Sequence, residues 1–240
     1  MRTYKLTIAY DGTAYQGWQR QANTENTLQG TISSVAGYPV EIDGSGRTDA
    51  GVHANGQTAT VVLSGRVKDE FFTEKINSRL PEDIRILDAE LVRNGFHARK
   101  SAVGKRYIYQ LDLAEKPDVF TRRYTYHFPQ RLDLDAMRKA AQLLIGTYEF
   151  AGYTDKKDEK STKRTIYAIM ICGQGSKVSI QYEGTGFLYH MVRILTGTLL
   201  EVGTGARSIE SVKEPLKSKD RSQAGFLAPA RGLFLDEVYY

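Results

Sequence analysis

The chain has 240 residues, 41% of them hydrophobic and 25% charged, and carries a formal net charge of +5. These values are ordinary for a soluble globular protein, so disorder is not the default reading, and the length allows a sizeable buried core. A single cysteine, Cys172, excludes an internal disulfide, and four scattered histidines provide no zinc-type ligand spacing, so a reducing compartment and no bound metal are expected.

The N-terminal YKLTIAY (4–10) alternates as a strand and stops at the turn dipeptide Asp11-Gly12. TLQGTISSVAG (27–37) spaces Leu28, Ile32 and Val35 along one helix face, with Thr27 as N-cap and Gly37 as stop. A short strand over 39–43 leads into the glycine-rich GSGRTDAGVHA (44–54), and a further strand is predicted over 57–63. EFFTEKINSRLP (70–81) reads as a helix up to its proline, and DIRILDAELV (83–92) as a strand. The first half is thus β-α-β-β-α-β.

The second half repeats that order without visible sequence identity. A strand over 106–113 is followed by a helix over 133–146, with Asp133 as N-cap and Gly146 past its end. Strands over 164–171 and 177–184 pair through CGQGS, and GFLYHMVRILTGTLLEVG (186–203) forms a long helix. Pro215 weakens a helix through SIESVKEPLK, and GLFLDEVYY (232–240) closes as a strand. Two β-α-β-β-α-β units are the ferredoxin-like arrangement twice over. An α+β protein is expected, with halves 1–103 and 104–240 lying side by side around a central cleft. The apolar runs fall short of a bilayer crossing, and the N-terminus lacks a signal-peptide core, so a cytoplasmic protein without a membrane anchor is expected.

Positive charge is clustered: Arg99, Lys100, Lys105 and Arg106; Arg122 and Arg123; and Lys156, Lys157, Lys160, Lys163 and Arg164. With fifteen tyrosines available to stack on bases, this is compatible with a nucleic-acid partner without demonstrating one. GSGRTDAGVHA itself is not a dinucleotide or P-loop fingerprint. It lacks the third glycine, the following helix and the Gly-Lys-Ser/Thr. Two readings stay open from the residues alone: a hairpin tip in which Gly and Asp supply turn geometry, or a loop that brings Arg47 and Asp49 against a large substrate.

GRTDAGVHA resembles the signature of the tRNA pseudouridine synthase A family. Its companions follow in the order of that family: YDGTAYQGWQRQ, TLQG, FHARKSAVGKRYIYQLD, RTIY, GTGFLYHMVRILTGTLLEVG, KDRSQAG and APARGLFL, so the resemblance spans essentially the whole chain. It implies the pseudouridine synthase fold and an isomerase, free of cofactor, that converts uridine to pseudouridine at positions 38 to 40 in the anticodon arm of tRNA. It also implies a homodimer in which one tRNA touches both subunits.

Carried over residue by residue, the resemblance makes Asp49 the catalytic carboxylate. Arg193 becomes its ion-pair partner, and Tyr107 packs on the uracil and assists proton transfer. Leu188 is an apolar wall beneath the base, and Arg47 helps hold the nucleotide out of its stack. Without the resemblance, Arg193 reads as a helix arginine snorkelling to solvent, and Tyr107, like its neighbour Tyr109, as a strand tyrosine. Arg20, Lys100, Lys105, Lys163 and Arg164 are candidate phosphate contacts. His53 and His97 are assigned to loop packing. The chain departs from the family pattern in a short helix after TLQG, a compact charged DKKDEKST loop, and APARGLF where APP followed by one residue and GL is usual. A non-catalytic RNA-binding or tRNA-folding protein on this scaffold, or a paralogue with shifted uridine choice, are the alternatives.

Overall fold

The computed structural model describes residues 2–35, 41–63, 69–157 and 161–240. The expected helix stop Gly37, the first residues of the 39–43 strand and Lys160 of the basic clusters lie outside them. The described chain groups into two compact units: residues up to Val103 together with Phe234–Tyr240, and Gly104–Leu233.

In the first unit the alternating N-terminal segment forms β1 (Arg2–Tyr10), with Tyr4, Leu6, Ile8 and Tyr10 buried. It pairs antiparallel with β3 (His53–Leu63) on one side and β4 (Ile84–Val92) on the other, and β2 (Ile42–Gly44) pairs with the later part of β3. The order β4-β1-β3-β2, with α1 (Leu28–Val35) before β2 and α2 (Asp69–Asn77) before β4, is the β-α-β-β-α-β unit expected of the sequence. Thr27 caps α1, its Oγ1 accepting the Gly30 N–H at 3.2 Å.

Two expected boundaries move. β3 begins at His53, not at residue 57: the Asn55-Gly56 pair lies in the strand as an irregularity where the register against β1 shifts between Ile8 and Tyr10. Asn55 is tied to Asp236 (2.8 Å), and a Cβ on Gly56 would lie 2.6 Å from the Asp236 carbonyl oxygen, so glycine allows the last strand to approach. That strand, β10 (Leu233–Tyr239), runs parallel to the start of β3, with Phe234 opposite His53. Chain order assigns 234–240 to the second half, whereas its packing groups it with the first unit. α2 likewise ends at Asn77, short of the proline. The Asn77 side chain brackets the backbone of Ile86, donating to its carbonyl (2.8 Å) and accepting its N–H (2.9 Å), which competes with continuing the helix.

In the second unit β5 (Gly104–Asp112) pairs antiparallel with β9 (Lys177–Gly184), which pairs with β8 (Lys163–Gln174), which carries β7 (Gly146–Glu149) at the edge. A two-residue β6 (Tyr126–His127) runs parallel to the end of β5. The sequence signals neither β6 nor β7, each too short for its alternation to be read. α3 (Leu134–Gln142) is capped by Asp133, whose Oδ1 accepts the Asp135 and Ala136 N–H groups. It ends four residues before Gly146, which opens β7 instead. β8 runs three residues further toward the turn than the expected 164–171, while β9 has the expected bounds. The weakened helix over SIESVKEPLK resolves into a 3-10 turn, Ile209–Lys213, and a five-residue α5 (Glu214–Ser218) that accepts Pro215 in its first turn.

The largest correction concerns α4 (Met191–Gly203): it starts five residues later than the apolar run from 186 suggests. His190 sits in the left-handed region at φ 62°, which no helix interior tolerates, so the segment carrying Leu188 is a turn leading into the helix.

Candidate active site

The loop around Asp49 is held by contacts on every side. Trp18 N–H donates to the Thr48 carbonyl (3.0 Å), and Gly51 N–H donates to the Tyr15 carbonyl (3.3 Å). The Asp49 carbonyl accepts from Val52 N–H (3.1 Å) to close the turn. Buried Ser45 donates from its hydroxyl to Gln57 Oε1 (2.7 Å), and Gln57 Nε2 donates to the Gly46 carbonyl (2.9 Å). Tyr10 and Thr48 share a hydroxyl–hydroxyl bond of 2.8 Å in the core. The preceding loop fits against this turn closely: a Cβ on Gly12 would lie 1.9 Å from the Val52 carbonyl oxygen. Asp49 is thereby half-buried between a buried threonine and exposed Ala50 on a turn whose backbone is already committed.

Arg47 and Arg20, both exposed, meet the same network. Arg47 Nε donates to Gln19 Oε1 (3.2 Å), Gln19 Nε2 donates to Gln29 Oε1 (2.8 Å), and that oxygen also accepts the Arg20 N–H (2.9 Å). Gln29 in turn donates to the Ile42 carbonyl (2.9 Å), so α1, β2 and the loop are laced together by amides. His53 is buried, stacked on Phe234 at 4.7 Å, and its Nδ1 accepts the Gly12 N–H (3.1 Å) with Asp11 Oδ1 alongside at 3.1 Å. That is the packing role expected of it. His97 likewise turns on its own loop, its Nδ1 accepting the Arg99 N–H (3.2 Å). Lys100 lies exposed in the following turn.

The second unit contains Tyr107, Leu188 and Arg193. Tyr107 is buried on β5 opposite Tyr182, with its ring edge-on to Phe187 at 5.3 Å, directly beside Leu188. Tyr109, on the same face, donates its hydroxyl to the Pro229 carbonyl (2.7 Å), and burial pushes its phenol far above the ordinary range against the opposing pull of Arg193. It is therefore a structural tyrosine. Arg193 does not snorkel: its Nε donates to the Ala228 carbonyl (2.7 Å), and Ala228 N–H donates back to the Arg193 carbonyl (3.2 Å). The APARGL stretch thus fixes both Arg193 and Tyr109.

The remaining cations are more dispersed. Lys105 is half-buried at the start of β5, two residues before Tyr107. Lys163 is exposed at the start of β8. Arg164 directs its Nη1 onto the Ser161 and Lys163 carbonyls (3.1 and 2.7 Å) and so braces its own loop. Among the described residues no three His, Cys, Asp or Glu side chains converge as a metal site requires, and no helix is long and apolar enough to cross a membrane. The residues missed by the sequence reading are the amides and hydroxyls of the first unit, Gln19, Gln29, Ser45 and Gln57. The one signal available was a polar Gln57 heading the apolar run TATVV.

The model of the tRNA pseudouridine synthase family matches residues 6–99 and 140–240, and so takes in the Asp49 loop and the Arg193 segment. The chain belongs to the tRNA pseudouridine synthase family. It is 45% identical over 245 residues to a tRNA pseudouridine synthase A of Bacillus sp. strain KSM-64, covering all of both chains. It is 40% identical over 244 residues to one from Clostridium kluyveri, and 41% identical over 244 residues to a tRNA pseudouridine synthase A 2 of Clostridium perfringens, again with both chains fully covered. As a member of this isomerase family the chain is an enzyme, which removes the non-catalytic reading of the scaffold. The tRNA pseudouridine synthase match covers residues of both units.

Proposed function

We propose that this enzyme converts uridine to pseudouridine at positions 38 to 40 in the anticodon arm of tRNA, in the cytoplasm and as a homodimer. The reaction breaks the C1′–N1 glycosidic bond, turns the uracil and joins C1′ to C5. The C5 hydrogen leaves as a proton and N1 gains one, so atoms and charge balance without a redox partner. Asp49 is the carboxylate that acts on the flipped nucleotide, and Arg193 pairs with it to keep it ionised and oriented. Tyr107 packs on the uracil and helps to move the proton from C5 toward N1. Leu188 is the apolar wall beneath the base, and Arg47 helps hold the nucleotide out of its stack, which costs a few kcal/mol. Arg20, Lys100, Lys105 and Lys163 contact phosphates, and Arg164 contributes by bracing the loop beside Lys163.

The observation that supports this reading most is the construction of the Asp49 turn. A carboxylate is held half-buried on a backbone fixed by Thr48, Gln57 and Trp18, inside the family's signature sequence. The test is position-resolved pseudouridine mapping on unmodified tRNA transcripts incubated with the purified full-length protein. Product confined to positions 38 to 40, lost on the order of 10³-fold or more in Asp49→Ala, is the expected result. Equal product from Asp49→Ala removes the catalytic assignment, and product at other uridines removes the assignment of position.

A further inference from the structure

We propose that Asp155 and Arg221, acting through His190, are positioning residues that hold the turn ahead of α4 and thereby set Leu188 and Arg193. The proposal deepens the reading above and rests on Arg193 serving the reaction.

His190 is a non-glycine residue in the left-handed region (φ 62°, ψ −3°), a conformation that costs free energy and persists only where its surroundings impose it. Its surroundings do so by a chain of charge-assisted hydrogen bonds. His190 Nδ1 donates to Asp155 Oδ2 at 2.6 Å, and Asp155 Oδ1 accepts from Arg221 Nε at 2.7 Å. Arg221 Nη1 donates to the Gly225 carbonyl (3.0 Å), and Gly225 N–H donates to Thr198 Oγ1 on α4 (2.9 Å). Next to Asp155, buried Thr154 donates its hydroxyl to the Tyr189 carbonyl (2.9 Å), and the Tyr189 ring stacks on the His190 imidazole at 3.7 Å. Three sequence-distant stretches, 154–155, 188–190 and 221–225, are closed into one ring of contacts.

That ring governs the two proposed site residues through the backbone. The Leu188 carbonyl accepts Met191 N–H (3.1 Å) and the His190 carbonyl accepts Ile194 N–H (3.0 Å), so the turn both places Leu188 and opens the helix on which Arg193 lies. Arg193 is then received by Ala228, three residues beyond Gly225. Glycine would adopt φ 62° at residue 190 without strain. A histidine there, with its ring tied to a carboxylate that Arg221 also holds, supplies the tie rather than the backbone freedom. The arrangement also gives work to KDRSQAG and to the first aspartate of the charged DKKDEKST loop, which the residue roles above leave unused.

The experiment measures single-turnover pseudouridine formation and, separately, the tRNA dissociation constant, with thermal melting as the folding control. Asp155→Asn and Arg221→Ala are expected to slow the single-turnover step about 10- to 100-fold while leaving the dissociation constant within about twofold. His190→Gly, which relieves the backbone, should stay slow. His190→Asn, which tolerates the left-handed region and presents an amide donor to Asp155, should recover part of the rate. A wild-type rate in Asp155→Asn or in His190→Gly overturns the proposal, as does a loss of rate, affinity and melting temperature together. Arg193→Ala separates the two readings: if it turns over normally, the role of Arg193 fails. Hydrogen exchange at 188–192 then still decides whether Asp155 holds the turn, quickening in Asp155→Asn if it does and staying unchanged if it does not.

Discussion

The turn that carries Asp49 and the turn that leads to Arg193 are built from opposite materials. Around Asp49 the buried supporting side chains named above are neutral, the hydroxyls of Tyr10, Ser45 and Thr48 and the amide of Gln57, joined by backbone groups, with Arg47 meeting them only from the exposed side through Gln19. Around Arg193 the support is ionic, with Asp155 shared between His190 and Arg221, backed by the Ala228 carbonyl. The difference has a physical rationale. A scaffold of fixed neutral dipoles orients a carboxylate without competing for its charge, whereas a cation on a helix accepts carbonyl and carboxylate neighbours nearby at little cost. The first support depends on packing and complete hydrogen bonding, and the second on charge state.

The comparison is broken most severely by steric intrusion into the neutral side. Gly12→Ala would place a methyl 1.9 Å from the Val52 carbonyl oxygen, where only a backbone shift relieves it. We expect a loss of about 3 kcal/mol in chemical denaturation and near-complete loss of activity. Next comes Gln57→Leu, which keeps the volume but leaves the Ser45 hydroxyl and Gly46 carbonyl without their described partner. About 2 kcal/mol should be lost, and the double variant with Ser45→Ala should recover part of it, since removing both partners is less costly than orphaning one. A Gln57→Leu protein as stable and active as wild type would show that the network is not what holds the loop.

These supports explain what the sequence does and does not disclose. Most strands and helices of both halves were legible because β1 and β9 alternate and α3 carries an Asp cap, all signals contained within a dozen residues. The candidate residues Asp49, Tyr107 and Arg193 were legible through motif order alone, since nothing in the periodicity of β5 distinguishes Tyr107 from Tyr109. Tyr109 is set apart by its bond to Pro229, a partner 120 residues away. The start of α4 differs from the expected one because Phe187, Leu188 and Met191 continue the helical apolar pattern, while His190, bonded to Asp155 35 residues earlier, adopts a left-handed conformation. The expected 57–63 strand starts earlier in the same way: Asn55-Gly56 is a sheet position where β10 lies against the start of β3. Contacts of this range decide local structure without leaving a local trace.

Acid should separate the two turns. Burial pushes the Asp155 carboxyl up, but the hydrogen bonds from His190 and Arg221 outweigh it and hold the group below its ordinary 3.8. A carboxyl depressed in the fold contributes stability that is present above the unfolded value and is lost as pH falls through the folded one. Lowering the pH below about 4 should therefore loosen residues 188–192 before residues 45–48 and 57–58, as read by hydrogen exchange corrected for intrinsic rates. In Asp155→Asn that pH step should disappear. Equal loosening of both turns in wild type would mean that the ionic support has no separate role.

The smallest effects belong to the exposed cations, where the two units are alike. Arg20 in the first and Lys163 in the second are both solvent-exposed, so each is expected to act on tRNA as a screened point charge. Arg20→Ala and Lys163→Ala should each weaken tRNA binding several-fold at low salt and lower the slope of log affinity against log salt by about 1. The single-turnover rate at saturating tRNA should not change, because a phosphate contact positions the substrate without touching the reacting base. Arg164 offers the internal control. Its guanidinium already braces the Ser161 and Lys163 carbonyls, so Arg164→Ala should also lower the melting temperature of the second unit, which Lys163→Ala should not. If Arg164→Ala changed only the salt slope, the brace would be energetically idle and the residue would join Lys163 as a plain phosphate contact.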